Sequence, residues 1–186
     1  MQAPMKCDTR PEVWHRYLQN VSVGYALEFG VWNGRSINYM AEIRPRSIFV
    51  GFDSFDGLPE QWTPAHPVGF FKTDPTKLKW RSNVQIQAGL FDATLPVFLD
   101  KRDTDKPIQG VHIDCDLGSS TRTVLDGLTP LLLKDKPLLL FDEFYNYSGY
   151  EDHEFRAFLE WVNKTNARFS VLARNVKEKQ VLIALI

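Results

Sequence analysis

Two acidic segments, HIDCD at 112–116 and FDEF at 141–144, each follow a short apolar run and end it on carboxylates. Apolar runs of this length read as buried parallel strands. Ligands of open α/β sheets bind beyond the carboxyl ends of such strands. Asp114, Asp116, Asp142 and Glu143 are therefore expected in one crevice, and neither segment contains Lys or Arg. Carboxylates crowded together cannot all stay ionised unless protons or a cation balance them. A divalent metal with oxygen ligands is the economical counter-charge. The plainer reading is capping: Asp142 and Glu143 close a turn, and Asp116 caps the helix near Ser119, a task Ser119, Ser120 or Thr121 could also perform. His112 shares a strand face with Asp114 and reads as a packed core residue rather than a ligand.

Three further segments add a nucleotide-type pocket to the same edge. EFGVWNGRS at 28–36 follows a strand and opens a helix, so the backbone can approach a ligand at Gly30 and Gly34, with Asn33 and Ser36 beside them. Trp32 sits in the middle of that turn, and the spacing is not G-x-G-x-x-G, which disfavours a nicotinamide dinucleotide. Glu28, at the strand's end, suits a ligand carrying an ammonium group. Asp53, followed by Ser54 and Phe55, ends the next strand, where a carboxylate grips ribose hydroxyls; an Asp there is as often a turn cap. Gly89 would let the chain turn close to an adenine ring, with Leu90 or Phe91 as apolar walls, while Asp92 could simply cap the helix that follows.

The elements that must position these groups follow from periodicity. Thr9–Glu12 reads as a capping box opening a helix to about Asn20. Strands are expected at Tyr25–Phe29, Ser47–Phe52, Asn83–Ala88, Gln109–Ile113 and Leu138–Phe141. Helices are expected over Arg35–Ile43, before Leu99, and over Thr121–Leu132 and Asp152–Asn163. Two closing strands, near Phe169–Ala173 and Gln180–Ile186, have only a short link and suggest an antiparallel edge hairpin. Strand and helix alternate, which predicts an α/β fold with three layers, αβα, around a mostly parallel sheet. Residues 54–82 break the rhythm with four prolines and several aromatics. Irregular segments this long tend to be lids or binding loops, against the bland alternative of a surface loop anchored by its aromatics.

With 186 residues the chain fits a single domain, residues 1–186. A formal charge of −1 leaves no electrostatic footprint for nucleic acid or an anionic membrane. No apolar stretch is long enough to span a bilayer, and the N-terminus lacks the apolar core of a secretory signal. The two cysteines, Cys7 in an N-terminus expected to be mobile and Cys115 in the acidic segment, show no zinc-type spacing. These features favour a reducing cytoplasm.

In their order along residues 25–160, EFGVWNGRS, FDSFDGLPE, GLFDATLP, HIDCDLGSST and FDEFYNY resemble the macrocin O-methyltransferase (TylF) family. That resemblance implies a Rossmann-like class I methyltransferase fold with a seven-stranded sheet. It also implies S-adenosylmethionine as methyl donor, Mg2+ or another divalent cation, and a sugar-like hydroxyl compound as acceptor (EC 2.1.1.-). The family suggests homo-oligomers. By the same matching, Glu28, Gly30, Gly34, Asp53 and Asp114 belong to the cofactor site, Asp114, Asp142 and Glu143 are the metal ligands, and Asp116 is the general base. Two departures stand out: Gly118 where the family has an aromatic residue, and Glu143 where it has a second Asp. The rival readings are a protein that binds S-adenosylmethionine without catalysis, and a metal-dependent hydrolase that leaves the 28–36 and 53 constellation without a purpose.

Overall fold

Tyr25–Phe29 is buried at every position, and so are most residues of the strands beside it, because helices cover both faces of the sheet and leave no polar side to alternate with. The computed structural model describes residues 3–19 and 21–186; the expected helix end at Asn20 lies outside the described residues. In chain order the elements are β1 (Met5–Cys7), α1 (Arg10–Gln19), β2 (Tyr25–Phe29), α2 (Arg35–Ile43), β3 (Ile48–Asp53), β4 (Val84–Ala88), α3 (Phe91–Lys101), β5 (Ile108–Ile113), α4 (Gly118–Asp135), β6 (Leu138–Phe141), α5 (Glu154–Thr165), β7 (Phe169–Asn175) and β8 (Val181–Leu185).

The strands form one mixed sheet of eight in the order β1-β7-β8-β6-β5-β2-β3-β4. β8 runs antiparallel to β6 and β7, and the other pairings are parallel. The expected terminal hairpin is therefore present. An eighth strand lies outside it, because Met5–Cys7 pairs with Ala173–Asn175. This corrects the reading of the N-terminus as mobile: Cys7 is 2% exposed, packed in the core with Val13 and Ala173. Both cysteines are buried and free. Three residues carry too weak a pattern to read as a strand, and only the edge of β7 makes them one.

One core layer packs α3, α4 and α5 against Leu27, Phe29, Val111, Leu139 and Phe141, and the other packs α1 and α2 against Ala26, Phe49, Leu140 and Leu182. α1 opens as its capping box requires: the Glu12 amide donates to Thr9 Oγ1 and the Glu12 carboxylate accepts from the Asp8 amide. From β2 the chain moves outward to β3 and β4, then returns to β5 and β6 on the other side. The β2/β5 boundary is the switch point at which α/β sheets open a crevice. No helix among the described residues is long and apolar enough to cross a membrane.

Candidate active site

A cavity of about 530 Å³ opens above the carboxyl ends of β2, β3, β5 and β6. Gly30, Asp53, Ser54, Gly89, Leu90, Asp114, Asp116, Asp142 and Glu143 all line it, as the sequence leads one to expect. Leu58, Trp62, His66 and Phe71 from the 54–82 segment complete the wall. That segment holds one isolated bridge, Thr63 with His66, and one 3-10 turn at Pro75–Lys77. Ser119, at the start of α4, donates to Glu60 of the segment and fastens it over the cavity.

Five expected cofactor residues lie off the cavity wall. Glu28 is 1% exposed, and its oxygens are taken by Ser36 Oγ at 2.7 Å and His112 Nδ1 at 3.1 Å. Its carboxylate therefore orders the core beneath the site and has no oxygen turned to a ligand's ammonium group. Ser36 is spent on that bond. Asn33 Oδ1 accepts from the Arg35 amide, and Phe55 is buried with its amide on Asp53 Oδ1. Gly34 (φ +75°) has a packing reason: a Cβ there would sit 2.6 Å from the Trp80 ring. Asp53 caps the turn, the plainer of its two readings, and reaches the cavity wall as well. Its Oδ2 accepts from the amides of Val31 and Trp32, at 2.8 and 2.7 Å, so it fixes the first turn while it lines the cavity.

The carboxylates gather where expected, but distant cations meet them. Arg10, at the start of α1, places Nη1 3.0 Å from Asp142 Oδ2, and Lys179, just before β8, places Nζ 2.6 Å from Glu143 Oε2. Gln180, fully buried, donates to Asp142 Oδ1. His112 is buried as anticipated, yet it bridges Glu28 to Asp142, whose Oδ1 lies 3.6 Å from its Nε2. Burial alone would lower its pKa, but the carboxylates of Asp142 and Glu28 outweigh that and raise it well above the ordinary imidazole range. Burial likewise works against Asp142 ionisation, and His112, Arg10 and Gln180 reverse it to hold that carboxyl low.

Asp114 and Asp116 have no such partners; no described side chain donates to either. Burial, then the neighbouring Asp142, pushes Asp114 well above the carboxylate range. Burial, then Glu143 and Asp142, raises Asp116 to about 8. Asp116 does not cap α4, since no side chain caps that helix and Asp116 sits in the left-handed region (φ +60°). Gly118 cannot carry the family's aromatic residue, because the backbone of Asp152 and His153 closes to 2.8 and 3.3 Å of where a Cβ would be.

The resemblance calls for a divalent cation on Asp114, Asp142 and Glu143, and the donor set does not fit one. Those three residues do not bring oxygens within 4.8 Å of one another; the described group that does is His112, Asp114 and Asp142. Within that group each Asp142 oxygen already holds a partner, Arg10 on Oδ2 and Gln180 on Oδ1, and the Arg10 guanidinium brings a positive charge to the place a metal ion would occupy. Glu143 is met by the cations as well: its Oε2 lies 2.6 Å from Lys179 Nζ, and Oε1 lies 3.9 Å from Arg10.

Sequence reasoning also passed over Glu154. Its two oxygens accept from the amides of Cys115 and Glu143, each at 3.1 Å, and so tie the two acidic loops together. Glu154→Gln keeps the volume but turns an N–H toward one of those amides, leaving a buried donor unsatisfied. A loss of about 1–3 kcal/mol follows, read as a lower denaturant midpoint at unchanged slope; an unchanged midpoint would refute the clamp.

No family model and no curated protein matches this chain. Solved structures do. CalS11, a calicheamicin methyltransferase, superposes with a TM-score of 0.73 at 23% identity over 93% of this chain and 76% of its own. The O-methyltransferase NovP gives 0.65 at 18% identity, covering 93% and 78%. An O-methyltransferase from Bacillus cereus in complex with SAH gives 0.62 at 14% identity, covering 96% and 81%. The fold is that of the class I methyltransferases. At the level of the fold, this agrees with the resemblance to the macrocin O-methyltransferase family, and the cavity lies at that fold's switch point.

Proposed function

We propose that this chain is an O-methyltransferase that moves the methyl group of S-adenosylmethionine to a hydroxyl of a sugar or a glycosylated small molecule. The carrying observation is Asp116: an unpartnered carboxyl, its pKa raised to about 8, on the wall of the cavity at the sheet's switch point. A base poised near the working pH is what deprotonation of a hydroxyl needs. The structural relatives support the choice of chemistry: CalS11 is a TDP-rhamnose 3'-O-methyltransferase, and NovP an O-methyltransferase.

The residues divide the cavity in two. At the β2/β3/β4 end, Gly30, Asp53, Gly89 and Leu90 would hold the donor; Leu90 is 54% exposed, an apolar face left for a ring to cover. When bound, S-adenosylmethionine supplies a sulfonium-activated methyl group. At the β5/β6 end, Asp116 takes the proton of the acceptor hydroxyl, and Trp62, His66 and Phe71 shield the reacting atoms from water. Holding donor and acceptor in line contributes much of the remaining acceleration.

Calorimetric titration of S-adenosylmethionine tests this reading. Wild type should bind, and Leu90→Asp should bind at least about tenfold more weakly, since covering a leucine contributes on the order of 1.5–3 kcal/mol. Transfer of a tritiated methyl group to sugar hydroxyls should then be detectable across an acceptor panel. Absence of cofactor binding by folded wild type would end the proposal.

A further inference from the structure

The acidic crevice carries its own cations, and they come from the two ends of the described chain. We infer that the Arg10 guanidinium and the Lys179 ammonium stand in place of a divalent metal in this site, so that methyl transfer here is metal-independent. This rests on the methyltransferase reading above. A hard cation needs several open oxygen lone pairs around one point. Each Asp142 oxygen already holds a partner, Arg10 on Oδ2 at 3.0 Å and Gln180 on Oδ1, and the guanidinium charge lies where a second cation would have to approach. Glu143 is engaged by Lys179 at 2.6 Å.

Both cations are built into the fold. Arg10 is also gripped through Nε by Glu178 at 2.6 Å, and helix α1 begins at Arg10 itself, which fixes where its side chain starts. The carbonyl of Lys179 accepts from the Phe144 amide at 3.1 Å, which docks the turn before β8 onto the acidic loop. The Lys179 ammonium also lies 4.6 Å from the centre of the Tyr147 ring and 5.3 Å from that of Trp62, two faces that hold a cation in place. Each cation answers a carboxylate directly, Arg10 at Asp142 and Lys179 at Glu143, and His112 lies between Glu28 and Asp142 beneath them.

Lys179 lines the cavity, and its ammonium has three donors where a carboxylate uses one or two. It is the group placed to donate to the acceptor oxygen as negative charge develops there. In the step itself, the acceptor O–H proton passes to Asp116, the new C–O bond forms as the S–CH3 bond breaks, and the bonding pair returns to sulfur as a neutral thioether. No further reactant is required.

The test is Mn2+ titration, followed by electron paramagnetic resonance, of chelator-treated wild type, Lys179→Met, and the double variant Arg10→Met with Lys179→Met. S-adenosylmethionine titrations on the same samples report separately on the methyltransferase reading. Wild type should leave Mn2+ free in solution, and the double variant should acquire one bound ion that Asp142→Asn abolishes. Stoichiometric Mn2+ binding by wild type, lost in Asp142→Asn, would overturn the inference while intact cofactor binding leaves the parent reading standing. A folded double variant that still leaves Mn2+ free overturns the assignment to these two side chains. Should the double variant not fold, Lys179→Met alone, which alters a side chain 30% exposed, takes its place: a bound Mn2+ ion that Asp142→Asn abolishes supports the inference, and Mn2+ left free overturns the assignment to Lys179.

Discussion

Asp116→Asn should bind S-adenosylmethionine like wild type and lose about 10²–10⁴-fold in turnover, the usual contribution of a general base. The substitution suits the backbone, since Asn tolerates the left-handed conformation that Asp116 adopts (φ +60°), so folding is not the cause of the loss. The pH profile supplies a second signature. With its pKa at about 8, Asp116 is mostly protonated at neutral pH, so kcat/KM of wild type should climb as pH rises and level off above about 8. In Asp116→Asn that limb should vanish. The stability sign runs the other way. A carboxyl whose folded pKa lies above its unfolded value binds its proton more tightly in the folded state. Its contribution is therefore greatest at low pH and is lost as pH rises through about 8. Asp116→Asn should flatten that decline. Turnover within a few fold of wild type would remove Asp116 from the mechanism.

Gly30→Ala should be the most damaging small substitution in the chain. Gly30 adopts φ +90°, and a Cβ there would overlap the carbonyl oxygen of Asp114, backbone against backbone with no flexible side chain to yield. The segments leaving β2 and β5 are bonded here, where the Asp114 amide donates to the Phe29 carbonyl at 2.9 Å. Strain and overlap together place the loss on the order of 3–5 kcal/mol. For a chain of this size that lowers Tm by roughly 10 °C or more. Relieving the clash also moves Asp114, so cofactor affinity should fall in whatever protein remains folded. Gly149→Ala is the control: its φ is +85°, but nothing lies within 4 Å of its Cβ position, so it meets the conformational penalty alone, about 1–2 kcal/mol. Equal melting temperatures for the two variants would show that close approach at Gly30 is not what the site requires.

Local pattern decided most of the architecture. Tyr25–Phe29, Arg35–Ile43 and Leu138–Phe141 form as expected, because an unbroken apolar run bounded by turn residues, or a helical stripe after glycine, needs no distant partner to be recognised. The placement of Asp114, Asp116, Asp142 and Glu143 at one sheet edge was equally legible, since parallel strands must all end on the same side. The local pattern predicts α4 over Thr121–Leu132, yet it spans Gly118–Asp135; Gly is a poor helix former, and the close packing of Asp152 and His153 over it is a tertiary fact.

What the sequence alone determined, then, is an α/β sheet with a crowd of carboxylates and a glycine-bearing turn at its switch point, for those are consequences of strand length, periodicity and chain direction. Tertiary structure decided what balances the carboxylates. Arg10 and Lys179 carry no local mark that distinguishes them from any exposed basic residue. Only the pairing of β1 and β8 into the far half of the sheet brings α1 and the turn before β8 to the ends of β5 and β6. Glu28 shows the same division: its position at a strand end was readable, but whether its oxygens face a ligand or Ser36 and His112 depends on neighbours from three separate elements, and charge compensation in a buried site is set by distance in space.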